Sequence, residues 1–257
     1  MGCQKGTEMQ KILVWSLIGS VALVGCGGGG SASDTNTPVA TPSAQGLWNG
    51  NTSTNRAVTG LVLGDGSYYV LYSAPGNPLQ IAGVVQGSRS SAANIFSSSD
   101  ARDFNFEGFG VLPAAVSVTF STKQSFNGSV AYSGGTRTSF TSTYDTSYES
   151  TPSVTSLAGN FTGQVTSSAG TQSATVSISP TGAISGGSAG CVTSGSVTAR
   201  TDGNAYNLSL AFGPSPCVFA SQTLTGVAYF NSATKRLFAV TPNAGRNDGV
   251  LFVGTKP

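Results

Sequence analysis

The chain is 257 residues long, carries 12 Lys and Arg against 10 Asp and Glu, and contains no histidine. Nucleic-acid binding needs a clustered basic face, and a charged fraction of 9% with no run of Lys or Arg does not supply one. The missing imidazole leaves Ser-His-Asp chemistry without its base, while the length allows one or two domains with sizeable cores.

In chain order, Lys5 and Lys11 lead into Ile12–Val24, a mostly apolar run that stops at small residues. That order is the one of a secretory signal, and the run is shorter than the about 20 residues of a spanning helix. Met9 serves as a start as well as Met1 does. The next residues, Leu23-Val24-Gly25-Cys26, resemble the lipobox of bacterial lipoproteins. The resemblance covers residues 1–26. It implies a signal peptide over 1–25, a diacylglycerol thioether on the Cys26 sulfur and an acyl chain on its new amino group. Two or more chains give stable anchoring where one gives only marginal binding. In that family an Asp after the cysteine retains the protein in the inner membrane, so Gly27 implies the outer membrane, facing either the periplasm or the medium. A myristoylation start at Met1-Gly2-Cys3 would want Ser or Thr at position 6, which is Gly6.

Gly27–Gln45 is mostly Gly, Ser, Ala, Thr, Pro and Asn, a composition that cannot bury enough apolar surface to order itself. Residues 26–45 therefore read as the lipidated cysteine plus a flexible tether of roughly 25 Å.

The rest reads as all-β. Gly64-Asp65-Gly66, Pro75-Gly76-Asn77-Pro78, Ser133-Gly134-Gly135, Pro180-Thr181-Gly182 and Asp202-Gly203-Asn204 are turn signals. Between them lie short runs with period two, such as Tyr206–Phe212, and no convincing helix follows residue 26. Gly46-Leu47-Trp48-Asn49-Gly50 is echoed by Gly159-Asn160-Phe161-Thr162-Gly163, each followed by an alternating hairpin. We read two tandem antiparallel lobes, barrel-like or sandwich, over 46–152 and 153–257, joined near Tyr144–Ser156; one large sandwich is the alternative. Closure into barrels would remove the exposed edges of some sixteen short strands. The opening Gly-x-Trp resembles that of lipocalins, and the paired lobes distantly resemble transferrin-binding-type surface lipoproteins. Neither likeness extends beyond a few residues, and no functional residue is carried over from it.

Cys191 and Cys217 are expected to form a disulfide, since an exported chain meets an oxidising compartment and two thiols without histidine do not complete a metal site. No metal and no cofactor are expected. Trp48 and Phe161 read as rings plugging barrel ends, with ligand contact as the other reading. Ser67-Tyr68-Tyr69-Val70-Leu71-Tyr72 is apolar on both faces, so Tyr68, Tyr69 and Tyr72 either pack between layers or meet a partner. Ser232-Ala233-Thr234-Lys235 has the Ser-x-x-Lys spacing of penicillin-binding enzymes but lies between two strand-like runs, as a hairpin turn would. Asp100, Asp103, Glu107, Asp145 and Glu149 are the candidates for a glycosidase-type acid pair. A porin would carry apolar outer bands and aromatic girdles, whereas the expected outer faces here are Ser and Thr. The sequence thus points to an outer-membrane-anchored lipoprotein whose body is a non-enzymatic binding or envelope-structural module. It would meet the membrane through Cys26, no nucleic acid, and an unidentified protein or glycan. A hydrolase using a carboxylate pair is the alternative.

Overall fold

A computed structural model describes residues 41–257. The expected signal peptide over 1–25, the expected lipidation at Cys26 and most of the expected tether fall outside the described residues. The last two tether positions belong to the body: Ala44 is fully buried, its carbonyl accepts the Trp48 indole N–H at 3.0 Å, and the Gln45 amide donates to the Tyr148 hydroxyl at 3.2 Å.

The first lobe is a closed antiparallel barrel. Its strands are β1 (Gly46–Thr52), β2 (Ala57–Val62), β3 (Ser67–Ala74), β4 (Asn77–Ser88), β5 (Ser90–Ala92), β6 (Ile95–Asn105), β7 (Gly110–Ser121), β8 (Ser125–Tyr132) and β9 (Arg137–Tyr144). Eight run in the order β4-β3-β2-β1-β9-β8-β7-β6, and the seam closes where Gly83–Gln86 of β4 pairs with Arg102–Asn105 of β6. The short β5 adds to β6 alone. The second lobe is an eight-stranded barrel of β10 (Gly159–Ser167), β11 (Gly170–Ile178), β12 (Ala183–Ser188), β13 (Cys191–Ala199), β14 (Tyr206–Phe212), β15 (Thr223–Asn231), β16 (Arg236–Pro242) and β17 (Gly249–Thr255), closed by β10 against β17.

Alternation builds both interiors. In β7, Ala114, Val116, Val118 and Phe120 are buried while Ala115, Ser117 and Thr119 face solvent. The echoed motif opens each barrel. Trp48 stacks on Phe126 (centroids 5.3 Å) inside the first, and Phe161 meets Phe230 edge-on (5.8 Å) inside the second. The closing glycine of each motif lies where the first strand meets the last. A Cβ on Gly50 would stand 1.9 Å from the Thr141 carbonyl oxygen, and one on Gly163 would stand 2.1 Å from that of Val253. Only glycine fits those two positions.

Two one-turn helices occupy the joint, where none was expected: a 3-10 turn at Thr146–Glu149 and α1 (Val154–Leu157). Both are too short to show a helical period. Their signals are the caps, Asp145 accepting from the Ser147 N–H and Ser153 accepting from the Ser156 N–H.

The barrels share an apolar seam. Leu47, Leu61, Leu63, Tyr69 and Leu71 of the first cluster with Val227, Tyr229, Phe238, Val240 and Leu251 of the second. Tyr69 and Leu71 therefore point at the second barrel while Tyr68, Val70 and Tyr72 point into the first. The double-sided apolarity of β3 is accounted for by those two burials.

Candidate functional site

Two convex barrels touching along a seam leave a groove beside it, here a cleft of about 940 Å³. Its walls carry amides and hydroxyls from both barrels, among them Asn49, Thr59, Gln80, Gln164 and Asn231. Beneath them lie the parallel rings of Tyr229 and Phe238, 6.3 Å apart and 14° from coplanar. Of the charged side chains among the described residues, only Glu107 and Arg236 reach the lining. Glu107 is paired with Arg56 at 2.9 Å. Arg236 lies 4.8 Å over the Phe238 ring and donates to the Leu79 carbonyl across the cleft at 2.7 Å; desolvation lowers its pKa. The cleft can therefore offer neutral hydrogen bonding over an aromatic floor, with little net charge.

Two further arginines bridge the barrels away from this lining. Arg200 of the second barrel binds Asp202 (2.8 Å) and reaches Asp65 of the first (2.9 Å), while Asp202 accepts the Gly64 N–H at 2.9 Å. The bonds to Arg200 hold the Asp202 carboxyl below its ordinary range; at Asp65 burial opposes the shift, and the bonds from Ser67 and Arg200 outweigh it. At another corner Arg246, on the β16–β17 turn, donates to the Gln86 amide oxygen (2.7 Å) and main-chain oxygen (2.9 Å). It also donates to the Asp100 carboxylate (3.0 Å) and main-chain oxygen (2.7 Å). The sequence offers Asp100 as an acid candidate and Asp65 and Asp202 as turn residues, but it does not pair them with Arg200 or Arg246, whose cross-barrel partners lie more than a hundred positions away.

The acid candidates are dispersed into structural contacts. Asp100 is held by Arg246, Ser98 and Ser88, and Asp145 caps the joint and accepts from Asn49. Glu149 pairs with Lys123. Asp103 is buried inside the first barrel, accepting from the Tyr72 hydroxyl at 2.8 Å and the Tyr132 hydroxyl at 2.7 Å. Burial pushes the Asp103 carboxyl up despite those two donors, and burial beside this carboxylate pushes both phenols up. Ser232–Lys235 is the β15–β16 hairpin turn, with the Thr234 N–H donating to Asn231 and Lys235 at φ +54°.

Trp48 is 1% exposed, Tyr68 0% and Tyr69 7%, and Tyr72 is half-buried over Asp103. Tyr68 donates to Ser98, and burial pushes its phenol up to about 12. The disulfide joins Cys191, at the start of β13, to Cys217 in the loop after β14. Among the described residues, no three His, Cys, Asp or Glu side chains come together as metal ligands would.

No protein-family model matches this chain, and no curated protein matches it. Among solved structures it is similar to the isotype 1 transferrin-binding protein B of serogroup B Neisseria meningitidis, at 9% identity and a TM-score of 0.27 over 79% of this chain. It spans 58% of that protein's length. It is similar also to a double mutant of transferrin-binding protein B from Haemophilus parasuis, at 8% identity and a TM-score of 0.28, covering 78% of this chain and 60% of that one. At these scores the transferrin-binding type is a distant likeness, and neither residues nor activity are carried over from it.

Proposed function

We propose that this chain is an envelope lipoprotein held in the outer membrane through Cys26, with a non-enzymatic two-barrel body that binds a neutral, polar partner in the inter-lobe cleft. A glycan or an uncharged protein segment has that chemistry. The observation that carries the reading is the lining: hydroxyls and amides over stacked rings, with its two charges already engaged by Arg56 and by the Leu79 carbonyl. The lipobox and the oxidised Cys191–Cys217 pair support an exported, anchored protein. A hydrolytic acid pair would need two free carboxylates facing one cleft, and every carboxylate of the body has a structural partner.

The test is a photo-crosslinking amino acid placed at Gln80, at Gln164 or, as a control, at the exposed outer position Thr198, in cells carrying the full chain. Discrete adducts from the two cleft positions and none from Thr198 are expected. Adducts of equal yield at all three positions, or at none, would overturn the cleft as the binding surface. Loss of lipid label in Cys26→Ala tests the anchor separately.

A further inference from the structure

We propose that the loop-roofed end of the second barrel is a binding site for the alkyl chain of an uncharged amphiphile. The site is distinct from the inter-lobe cleft and rests on different residues. The β14–β15 loop roofs one end of the barrel, with Phe219 packed on Leu224 and Val250, and the other end is filled. Leu157 of α1, Phe161 and Tyr206 fill that end, and the Lys256 ammonium sits 4.8 Å over the Phe230 ring while donating to the Ala158 carbonyl at 2.9 Å.

Toward the other end the inward positions shrink. β11 passes inward from Ile178 to Val176 to Ala174, β12 from Ile184 to Gly186 to Ser188, and β13 from Val197 to Gly195 to Thr193. This taper leaves a cavity of about 230 Å³. Val165, Val176, Leu210, Phe212, Val250 and Phe252 form its walls, and no charged side chain lines it. An apolar cavity of this kind holds water poorly and accepts apolar guests. At roughly 30 Å³ for a group the size of a water, it has room for on the order of eight methylenes.

The entrance has the polarity an amphiphile needs. Gln172 and Ser188 stand at the rim and already bond one another at 3.0 Å. Val218, 51% exposed, lines the entrance as an apolar lip. The loop between β14 and β15 folds over the opening, stapled by Cys191–Cys217, and carries Pro216 and Phe219 against the cavity. Asp248 accepts from the Ser168 hydroxyl on the turn next to the rim and would repel an anionic head. A neutral head with a single chain satisfies all of these features.

The experiment is calorimetric titration of the full chain with monoacylglycerols of six to fourteen carbons, each below its micelle threshold. Affinity should rise about fourfold per added methylene. It should then flatten near eight to ten carbons, where the bore ends. Octanoate should bind several-fold more weakly than monooctanoylglycerol. Ala174→Phe fills the bore and should weaken binding at least thirtyfold with the thermal midpoint retained; Val176→Phe, one inward position deeper, serves if the first variant does not fold. Absence of saturable binding would overturn the proposal. So would an affinity that keeps climbing through fourteen carbons, or one unchanged in both variants, since adsorption to the apolar leader would behave that way.

Discussion

Arg246 should be the most costly polar side chain to remove at the inter-lobe joint. The β4–β6 pairing that closes the first barrel ends at Gln86 with Arg102, and β6 shifts register between Ser98 and Ala101. The main-chain oxygens of Gln86 and Asp100 are thereby released from the ladder, and the guanidinium of the neighbouring barrel takes up both. Gln86 is 7% exposed, so its oxygens have little access to water once the arginine is gone. Bonds to a charged donor contribute about 1.5–3 kcal/mol each, and a buried acceptor left unmade costs about 1–3 kcal/mol. Because Arg246 itself is 27% exposed and water can follow it out, we take the lower part of that range and set the Asp100 carboxylate, 42% exposed, at under about 1 kcal/mol. Arg246→Ala should then cost about 2–4 kcal/mol, a fall in melting midpoint of about 5–15 °C for a body of this size.

The backbone supplies an internal control for that prediction. Arg246 sits at φ +51°, a left-handed conformation that costs a non-glycine residue about 1 kcal/mol or more. Arg246→Gly removes the same bonds and relieves that strain, so it should be about 1 kcal/mol less destabilised than Arg246→Ala. Arg246→Lys brings a point charge without the fork and should recover less than half of the loss. Differential scanning calorimetry of the three variants, at 50 mM and 500 mM salt, separates the two contributions. Only the Asp100 share should respond to salt. A change below 0.5 kcal/mol in Arg246→Ala, or a loss that vanishes at high salt, would refute the seam-filling role.

Reducing Cys191–Cys217, which closes a loop of sequence separation 26, should cost about 3–4 kcal/mol and lower the midpoint by about 7–14 °C, read by melting with and without reductant. Asp103 has a raised folded pKa, so it opposes folding increasingly as pH rises from the unfolded value near 3.8 through the folded one. Asp103→Asn should flatten that arm of the stability–pH curve, whereas Asp103→Ala removes the acceptor of two half-buried phenols, of which Tyr72 keeps only the Asn105 amide, and should cost about 1–3 kcal/mol. Asp65, Asp100 and Asp202 have lowered pKa values, so their contribution is present above the unfolded value and should be lost as pH falls below about 4, loosening Arg200 and Arg246 together in an acid melt. Thr241 is 1% exposed and its hydroxyl has no hydrogen-bond partner; Thr241→Val should therefore stabilise by about 1 kcal/mol in urea titration.

Period-two alternation made the strands legible, because each strand has one face toward a closed interior. The echoed Gly-x-aromatic-x-Gly marked the opening strand of both barrels because the same geometry, an inward ring and a glycine jammed against the last strand, recurs at Gly50 and Gly163. Two cysteines in the body left each other as partner. The inter-lobe face was half legible. Tyr69 and Leu71 betrayed themselves by making β3 apolar on both sides, but Leu61 and Leu63 look the same in sequence whichever barrel covers them. The cleft could not be read at all. Its walls come from strands as far apart as β1 and β16, brought together by a register that depends on the seam. The barrel mouth was written as a taper of small inward residues, a signal that becomes readable only when strand pairing is known.

The seam and the cleft are consequences of one packing choice. Each barrel carries an apolar outer stripe, Leu47, Leu61 and Leu71 on one and Val227, Val240 and Leu251 on the other, so each needs the other as its cover. The contact leaves the cleft beside it, and three arginines bridge the barrels: Arg236 to the Leu79 carbonyl in the cleft wall, and Arg200 to Asp65 and Arg246 to Gln86 elsewhere. If the cleft binds as proposed, walls bridged this way would lose little conformational freedom on filling, and hydrogen bonds to Asn49, Gln80 or Gln164 would not be offset by the ordering of mobile lobes. The same bridging would select, in the proposed binding, for partners of one width. Loosening any one bridge should therefore weaken selectivity before it unfolds either barrel.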